Sequence, residues 1–263
     1  MTNPLAAHTN CFHGYDLEDA LRGIADAGFR HVELTSVPGW DEQVRLNGSN
    51  DLRKVLEHYG LTPVSLSGHS ELTTKEGLEH GLKAVRWSGE FGIPIVNTYV
   101  GGHGSEGEDE AAFLANIDTL ATAADEAGVT VAIEIHGELF GSGELAAAML
   151  EKIGRDAIRI NYDTANCEFY GGVKAVDDLP KVTSLVPHVH LKDTLGGKGA
   201  WNFPAIGDGS VDFPRVLEIM RDAQYEGPYS VEIEFEGEPW PPLEQCQEAV
   251  KRSYAYLKGL GLS

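Results

Sequence analysis

Carboxylates and histidines gather repeatedly at the downstream ends of short apolar runs in this 263-residue chain. "VAIEIH" ends on Glu134 and His136, "RINYD" on Asp163, "HVHLK" on His190 and Lys192, and "YSVEIE" on Glu232 and Glu234. Upstream, "HVELT" carries Glu33, and His69 follows "TPVSLS". Residues two apart on a strand point the same way, so each spaced pair presents both groups to one side. Taken one per segment, Glu134, Asp163, His190 and Glu232 supply three carboxylates and one imidazole. That is a donor set for one divalent ion: oxygen ligands suit Mg²⁺ or Mn²⁺, and the single nitrogen shifts preference toward Mn²⁺, Co²⁺ or Zn²⁺. Mn²⁺ is the expected ion. Three carboxylates forced together away from water would repel or take up protons, and a dication removes both problems.

A divalent ion that binds a substrate carbonyl and a neighbouring hydroxyl stabilises the enediolate left when the adjacent carbon loses its proton. Glu134 and Glu232, entering from different segments, are expected to flank such a substrate, one removing a proton and the other returning it. The leading expectation is therefore an isomerase or epimerase. The alternative is a lyase or dehydratase, which additionally needs an acid aimed at the departing oxygen. His69, His136 and Lys192 are candidates for that role or for binding substrate hydroxyls, with Asn166 beside them as a further substrate contact. His13 and His103 fall in loops beyond strand ends, and Trp40, Tyr99, Phe140 and Trp201 offer aromatic faces to a sugar. His188 shares a face with His190 but lies deeper, which fits a buried, hydrogen-bonded histidine. Glu138 and Glu234 are read as supports of the ligands.

These groups converge only if their segments are neighbours in one sheet. The chain alternates β-branched runs, at 31–35, 62–67, 94–99, 130–136, 157–162, 186–192 and 229–234, with amphipathic helical stretches. An opening strand is expected over His8 to Phe12. Asp16 caps one helix closed by Gly28, and Asp109 opens another closed by Gly128. Eight such units with no linker give a single (β/α)₈ TIM barrel over residues 1–263, whose chemistry belongs at the carboxyl ends of the strands. A doubly wound open sheet is disfavoured because no strand leads into a dinucleotide fingerprint; "GGHGSEG", Gly101 to Gly107, has the wrong spacing.

Bulk composition narrows the partners. With 20 Lys+Arg against 41 Asp+Glu, the formal charge of −21 repels nucleic acid and anionic membranes. No stretch approaches the ~18 apolar residues of a spanning helix, and the first ten residues lack a signal-peptide pattern, so a cytoplasmic chain is expected. Three cysteines without ligand spacing are expected to be reduced. The partner left is a small molecule.

Through "VELT", "VAIEIHGE", "YDTAN", "HVHLKD", "IGDGSVDF" and "YEGPYSVEIE", the chain resembles the xylose-isomerase-like TIM barrels. That superfamily holds sugar isomerases and epimerases, inosose dehydratases and apurinic-site endonucleases, so the resemblance implies a small carbohydrate partner: a sugar, keto-sugar or cyclitol. The resemblance implies a metal site of Glu134, Asp163, His190 and Glu232, with the two glutamates doubling as acid and base, and it selects Glu232 over Glu234. The sequence departs from the pattern at Asn166, where many members carry a histidine. Before "IGDG" the chain reads "GAWNFPA", without the extra ligands of the trinuclear endonuclease branch, so one metal and no DNA substrate are implied. The resemblance also implies a homo-oligomer, for which the helix at Leu243 to Leu260 and Trp240 are candidate apolar contacts.

Overall fold

The computed structural model describes residues 3–48, 50–101, 109–237 and 239–262; His103 lies outside the described residues. Eight parallel strands close into a barrel in sequence order: β1 Leu5–His8, β2 His31–Thr35, β3 Thr62–Glu71, β4 Ile95–Tyr99, β5 Thr130–Glu134, β6 Ile158–Asp163, β7 His188–Leu191 and β8 Tyr229–Val231. The expected (β/α)₈ TIM barrel is therefore the observed fold. Around it run α1 Leu17–Ala27, α2 Asn50–Tyr59, α3 Lys75–Phe91, α4 Glu110–Ala127, α5 Gly143–Ile153, the one-turn α6 Asn166–Phe169 and α7 Ala175–Asp178, α8 Phe213–Asp222 and α9 Leu243–Gly259.

Local chemistry explains the helix limits. The Asp16 carboxylate accepts the Asp19 N–H at 2.8 Å, and α1 stops where Gly28 takes φ 112°, a left-handed conformation costly for a residue with a Cβ. Asp109 accepts the Ala112 N–H at 2.9 Å to start α4, which ends at Gly128 with φ 66°. Ala20, Leu21, Ile24 and Ala27 line the buried face of α1, at the three- and four-residue spacing that puts them on one side.

Two expectations need correcting. The first strand is Leu5–His8, not His8 to Phe12; Thr9–Phe12 coils into a 3₁₀ turn. Leu5 to Ala7 are fully buried between Tyr229 to Val231 of β8 and β2, while Phe12 fills the core beneath α1. The strand must therefore end at His8, and the turn carries Asn10 to the barrel mouth. The apolar face of α9 is also not a free surface: Cys246, Ala249, Val250 and Leu257 are buried, and the helix packs on α1. Trp240 is half-buried, donating its indole N–H to the Cys11 carbonyl at 3.3 Å and meeting His13 and Phe235 edge-on.

The motif "HLKD…IGDG" is one structural unit. Oδ1 of Asp193 accepts the backbone N–H of Thr194 and Val211, and Oδ2 accepts those of Gly207 and Gly209, at 2.8–3.0 Å. One carboxylate thus folds the long β7–α8 loop back onto the end of β7. A Cβ at residue 209 would lie 2.2 Å from Asp193 Oδ1. Gly209→Ala is expected to cost ~1–3 kcal/mol, as overpacking of a filled site does, read as a lower denaturant midpoint at unchanged slope. An unshifted midpoint would show that the loop relaxes freely.

All three cysteines are buried and free, and burial pushes the Cys246 thiol up to about 11. No helix among the described residues is long and apolar enough to cross a membrane.

Candidate metal centre and active site

Glu134 closes β5, Asp163 closes β6, His190 sits within β7 and Glu232 follows β8 directly, so four adjacent strands deliver the four groups. One ligand atom from each lies within 4.8 Å of all the others, and all four residues are buried. Each residue ties one polar atom to the protein and turns the other toward a shared centre. Asp163 Oδ1 accepts the N–H groups of Ala165 and Asn166 at 2.8 and 2.7 Å, leaving Oδ2 without a hydrogen bond. Glu232 Oε1 accepts the Asn10 amide at 2.8 Å and meets His8 Nδ1 at 3.1 Å, leaving Oε2 without one. Glu134 Oε2 pairs with His69 Nε2 at 2.9 Å, while Oε1 lies 2.7 Å from His190 Nδ1. His190 turns Nε2 to Glu33 Oε2 at 3.0 Å, and its Nδ1 faces Glu134, Glu232 at 3.2 Å and Asp163 at 4.0 Å.

This explains the strand that ends on an aspartate. "DTAN" turns immediately so that its own amides hold one carboxylate oxygen and aim the other inward.

The electrostatics show what the centre lacks. Burial, then repulsion from Glu134 and Glu232, holds the Asp163 carboxyl well above the usual carboxylate range despite Lys192 and His190. Burial alone would lower the His190 pKa, but Glu232, Glu33 and Glu134 raise it well above an ordinary imidazole. A divalent ion at this point would relieve the repulsion among the carboxylates and compete with a proton for the His190 imidazole. Two buried carboxylate oxygens without a hydrogen bond, a nitrogen aimed between them and an excess of negative charge fit a divalent cation.

Beneath the centre is a polar layer only partly anticipated from sequence. Glu33 is wholly buried and holds His190; its other oxygen accepts the Asn97 amide at 2.5 Å. His188 is buried as expected, bonded to Ser65 and Asn161 at 3.0 and 2.8 Å, and burial pushes its pKa down to about 3. His8 closes β1, Asn10 sits in the 3₁₀ turn after it and Asn97 lies within β4, segments whose sequences carry no recognisable motif. Glu33 fixes which imidazole nitrogen of His190 faces the centre, so Glu33→Gln is expected to weaken metal affinity ~10–100-fold without unfolding the barrel. Calorimetric Mn²⁺ titration checks it, and unchanged affinity would remove Glu33 from the site.

The four groups expected to bind substrate all line one cavity of about 1650 Å³ above the centre, together with Glu134 and Glu232. His69 bridges Glu134 and Ser67 Oγ, and His136 Nε2 lies 2.7 Å from Tyr170 Oη. Asn166 is buried at the cavity edge. Lys192 pairs with Glu234 and lies 3.5 Å from Glu232 and 3.9 Å from Asp163. Burial opposes its charge, but Glu232, Glu234 and Asp163 hold it firmly as an ammonium. Of the four aromatics singled out, Trp40, Tyr99 and Trp201 line the cavity; Phe140 is fully buried against Phe113 and faces the core. His13 stacks on Trp40 at 4.4 Å and lies 3.4 Å from Asp41, supporting the rim.

Residues 21–256 match the family model described as xylose isomerase-like TIM barrel. The chain belongs to that family. Among curated relatives, it is 27% identical to inosose dehydratase from Clostridium botulinum, over 86% of this chain and 85% of that one. It is 24% identical to L-ribulose-5-phosphate 3-epimerase from Escherichia coli, over 78% of each. A family member from Mycobacterium smegmatis, solved in complex with magnesium, superposes with a TM-score of 0.76 at 18% identity, covering 98% of both chains. The two curated relatives are enzymes, one a dehydratase of inosose and the other an epimerase of a phosphorylated sugar.

Proposed function

We propose that the chain is a divalent-metal-dependent isomerase or epimerase of a sugar, keto-sugar or cyclitol, working by proton transfer beside a carbonyl. Glu134, Asp163, His190 and Glu232 would hold the ion, with Mn²⁺ preferred and Mg²⁺, Co²⁺ or Zn²⁺ as alternatives. When bound, it supplies electrophilic polarisation of a carbonyl oxygen, which acidifies the neighbouring C–H.

The observation that carries this reading is the paired arrangement of Glu134 and Glu232. Both line the cavity, and each has one oxygen anchored by protein donors and one turned to the common centre. A carboxylate so anchored is positioned to take a proton from a substrate carbon, and its counterpart to give one back. Asp163 and His190 sit behind them, out of contact with the cavity, and serve only the ion. His69, His136, Asn166 and Lys192 orient hydroxyl groups. The acidic chain and the single centre favour a small neutral carbohydrate over DNA.

A second reading, a dehydratase acting on an inosose or an oxidised sugar, is favoured by the similarity to inosose dehydratase. It uses the same first proton abstraction. Incubating Mn²⁺-loaded protein with a panel of keto-sugars and inososes, with products identified by mass spectrometry, tests both. Turnover that disappears in Glu134→Gln and Glu232→Gln supports the common first step. Full turnover in both variants would remove it.

A further inference from the structure

We infer that the cavity contains an outer, apolar subsite, and that the substrate is a glycoside whose second ring rests there while the first ring sits at the metal centre. The inference rests on the carbohydrate reading of the inner site and extends it to a larger class of substrate.

The first observation is size. Pockets that bury a drug-sized ligand span ~300–1,000 Å³. This one measures about 1650 Å³, far more than one hexose or cyclitol needs to reach the cluster at its floor. The second is the distribution of polarity. The buried charged groups Glu134, Glu232 and Lys192 form the floor, while the exposed part of the lining mixes the charged Glu71, Asp109, Glu138, Lys198 and Glu236 with apolar groups. Of the five large apolar side chains exposed among the described residues, three, Trp40, Leu145 and Trp201, line this same cavity. They are 43%, 48% and 37% exposed. Exposed apolar groups collected in one concavity mark a binding surface rather than scatter.

The third observation is construction. Trp40 follows β2, Leu145 opens α5 after β5, and Trp201 stands on the loop that Asp193 folds over β7. Two loops and the first turn of α5, spaced around the barrel mouth, thus bring apolar surface to one opening. The two indoles are also supported: Trp40 lies nearly parallel on His13, with 9° between the rings, and Trp201 packs edge-on against Phe169 and Phe203. Rigid indoles match the flat apolar face of a pyranose or an aryl group, where ring stacking adds to buried area. The two kinds of second ring share that chemistry.

Calorimetric binding of phenyl β-D-glucopyranoside, cellobiose and D-glucose to the intact Mg²⁺-loaded chain tests the subsite without requiring turnover. At least one two-ring probe is expected to bind about tenfold more tightly than glucose, and Trp40→Ala and Trp201→Ala to abolish that gain with glucose affinity unchanged. Trp40→Phe and Trp201→Phe, which keep a ring, should retain most of it and guard against misfolding of the alanine variants. Preference for the phenyl probe identifies an aryl aglycone, and preference for cellobiose a second sugar. If glucose binds equally well, or if the variants weaken all three probes alike, the outer subsite is overturned while the carbohydrate reading stands. If only the two-ring probe binds, through both tryptophans, the subsite stands and the monosaccharide chemistry of the inner site is what fails. Binding of no probe overturns the subsite.

Discussion

Asp163→Asn and His190→Ala are each expected to strip the divalent ion and lower turnover by ~10³-fold or more, since metal polarisation contributes several kcal/mol to such a step. Asp163 makes the sharper test. Its Oδ1 is already committed to the amides of Ala165 and Asn166, so only Oδ2 faces the centre. An asparagine that preserves those two bonds must point its NH₂ group inward, where it cannot ligate, and it removes a negative charge. His190→Ala takes the nearer of two imidazoles from the buried Glu33, leaving His188 at 3.5 Å, so that variant should also lose stability, whereas Asp163→Asn should not. Elemental analysis of purified protein, alongside turnover, decides the matter: both variants retaining full metal and full rate would mean the ion, if any, lies elsewhere. The companion pair separates the last strand's two glutamates. Glu232→Gln should lose metal, while Glu234→Gln, which only frees Lys192, should keep it.

The convergence of the four groups was legible from sequence because a carboxylate or imidazole closing an apolar run stands out, and because adjacent parallel strands of a barrel bring such ends side by side. What surrounds them was not. Glu33 stands 157 residues from the histidine it holds, and nothing local to "HVELT" identifies that partner. The first strand was placed too late because "LAAH" is short and alanine-rich, with weak strand propensity, whereas the following Thr9 to Phe12 has a β-branched and an aromatic residue. That shift of register concealed His8 and Asn10, the two groups that anchor Glu232. The covered face of α9 was misjudged for a related reason: amphipathicity shows that one face is buried, but not whether α1 of the same chain or a partner buries it.

Turnover in D₂O should return product of unchanged mass except for deuterium at one carbon, the signature of proton return rather than expulsion of an oxygen. Elimination needs a group that can give up a proton to the departing oxygen, and the cavity's candidates are poorly suited to it. Lys192 is held as an ammonium by Glu232, Glu234 and Asp163, which makes its proton hard to release. His69 is engaged with Glu134 and Ser67, and burial raises the Tyr170 phenol, the partner of His136, well above its ordinary pKa. In the proposed function the two glutamates, by contrast, serve as the pair that removes and returns a proton, and either Glu→Gln change should slow exchange by ~10²–10⁴-fold. Deuterium incorporation without net conversion would still support proton abstraction by this pair. Product lighter by water or an alcohol, with an enone absorbance, would assign the chain to the dehydratase side of its family and make one of those three groups the acid after all.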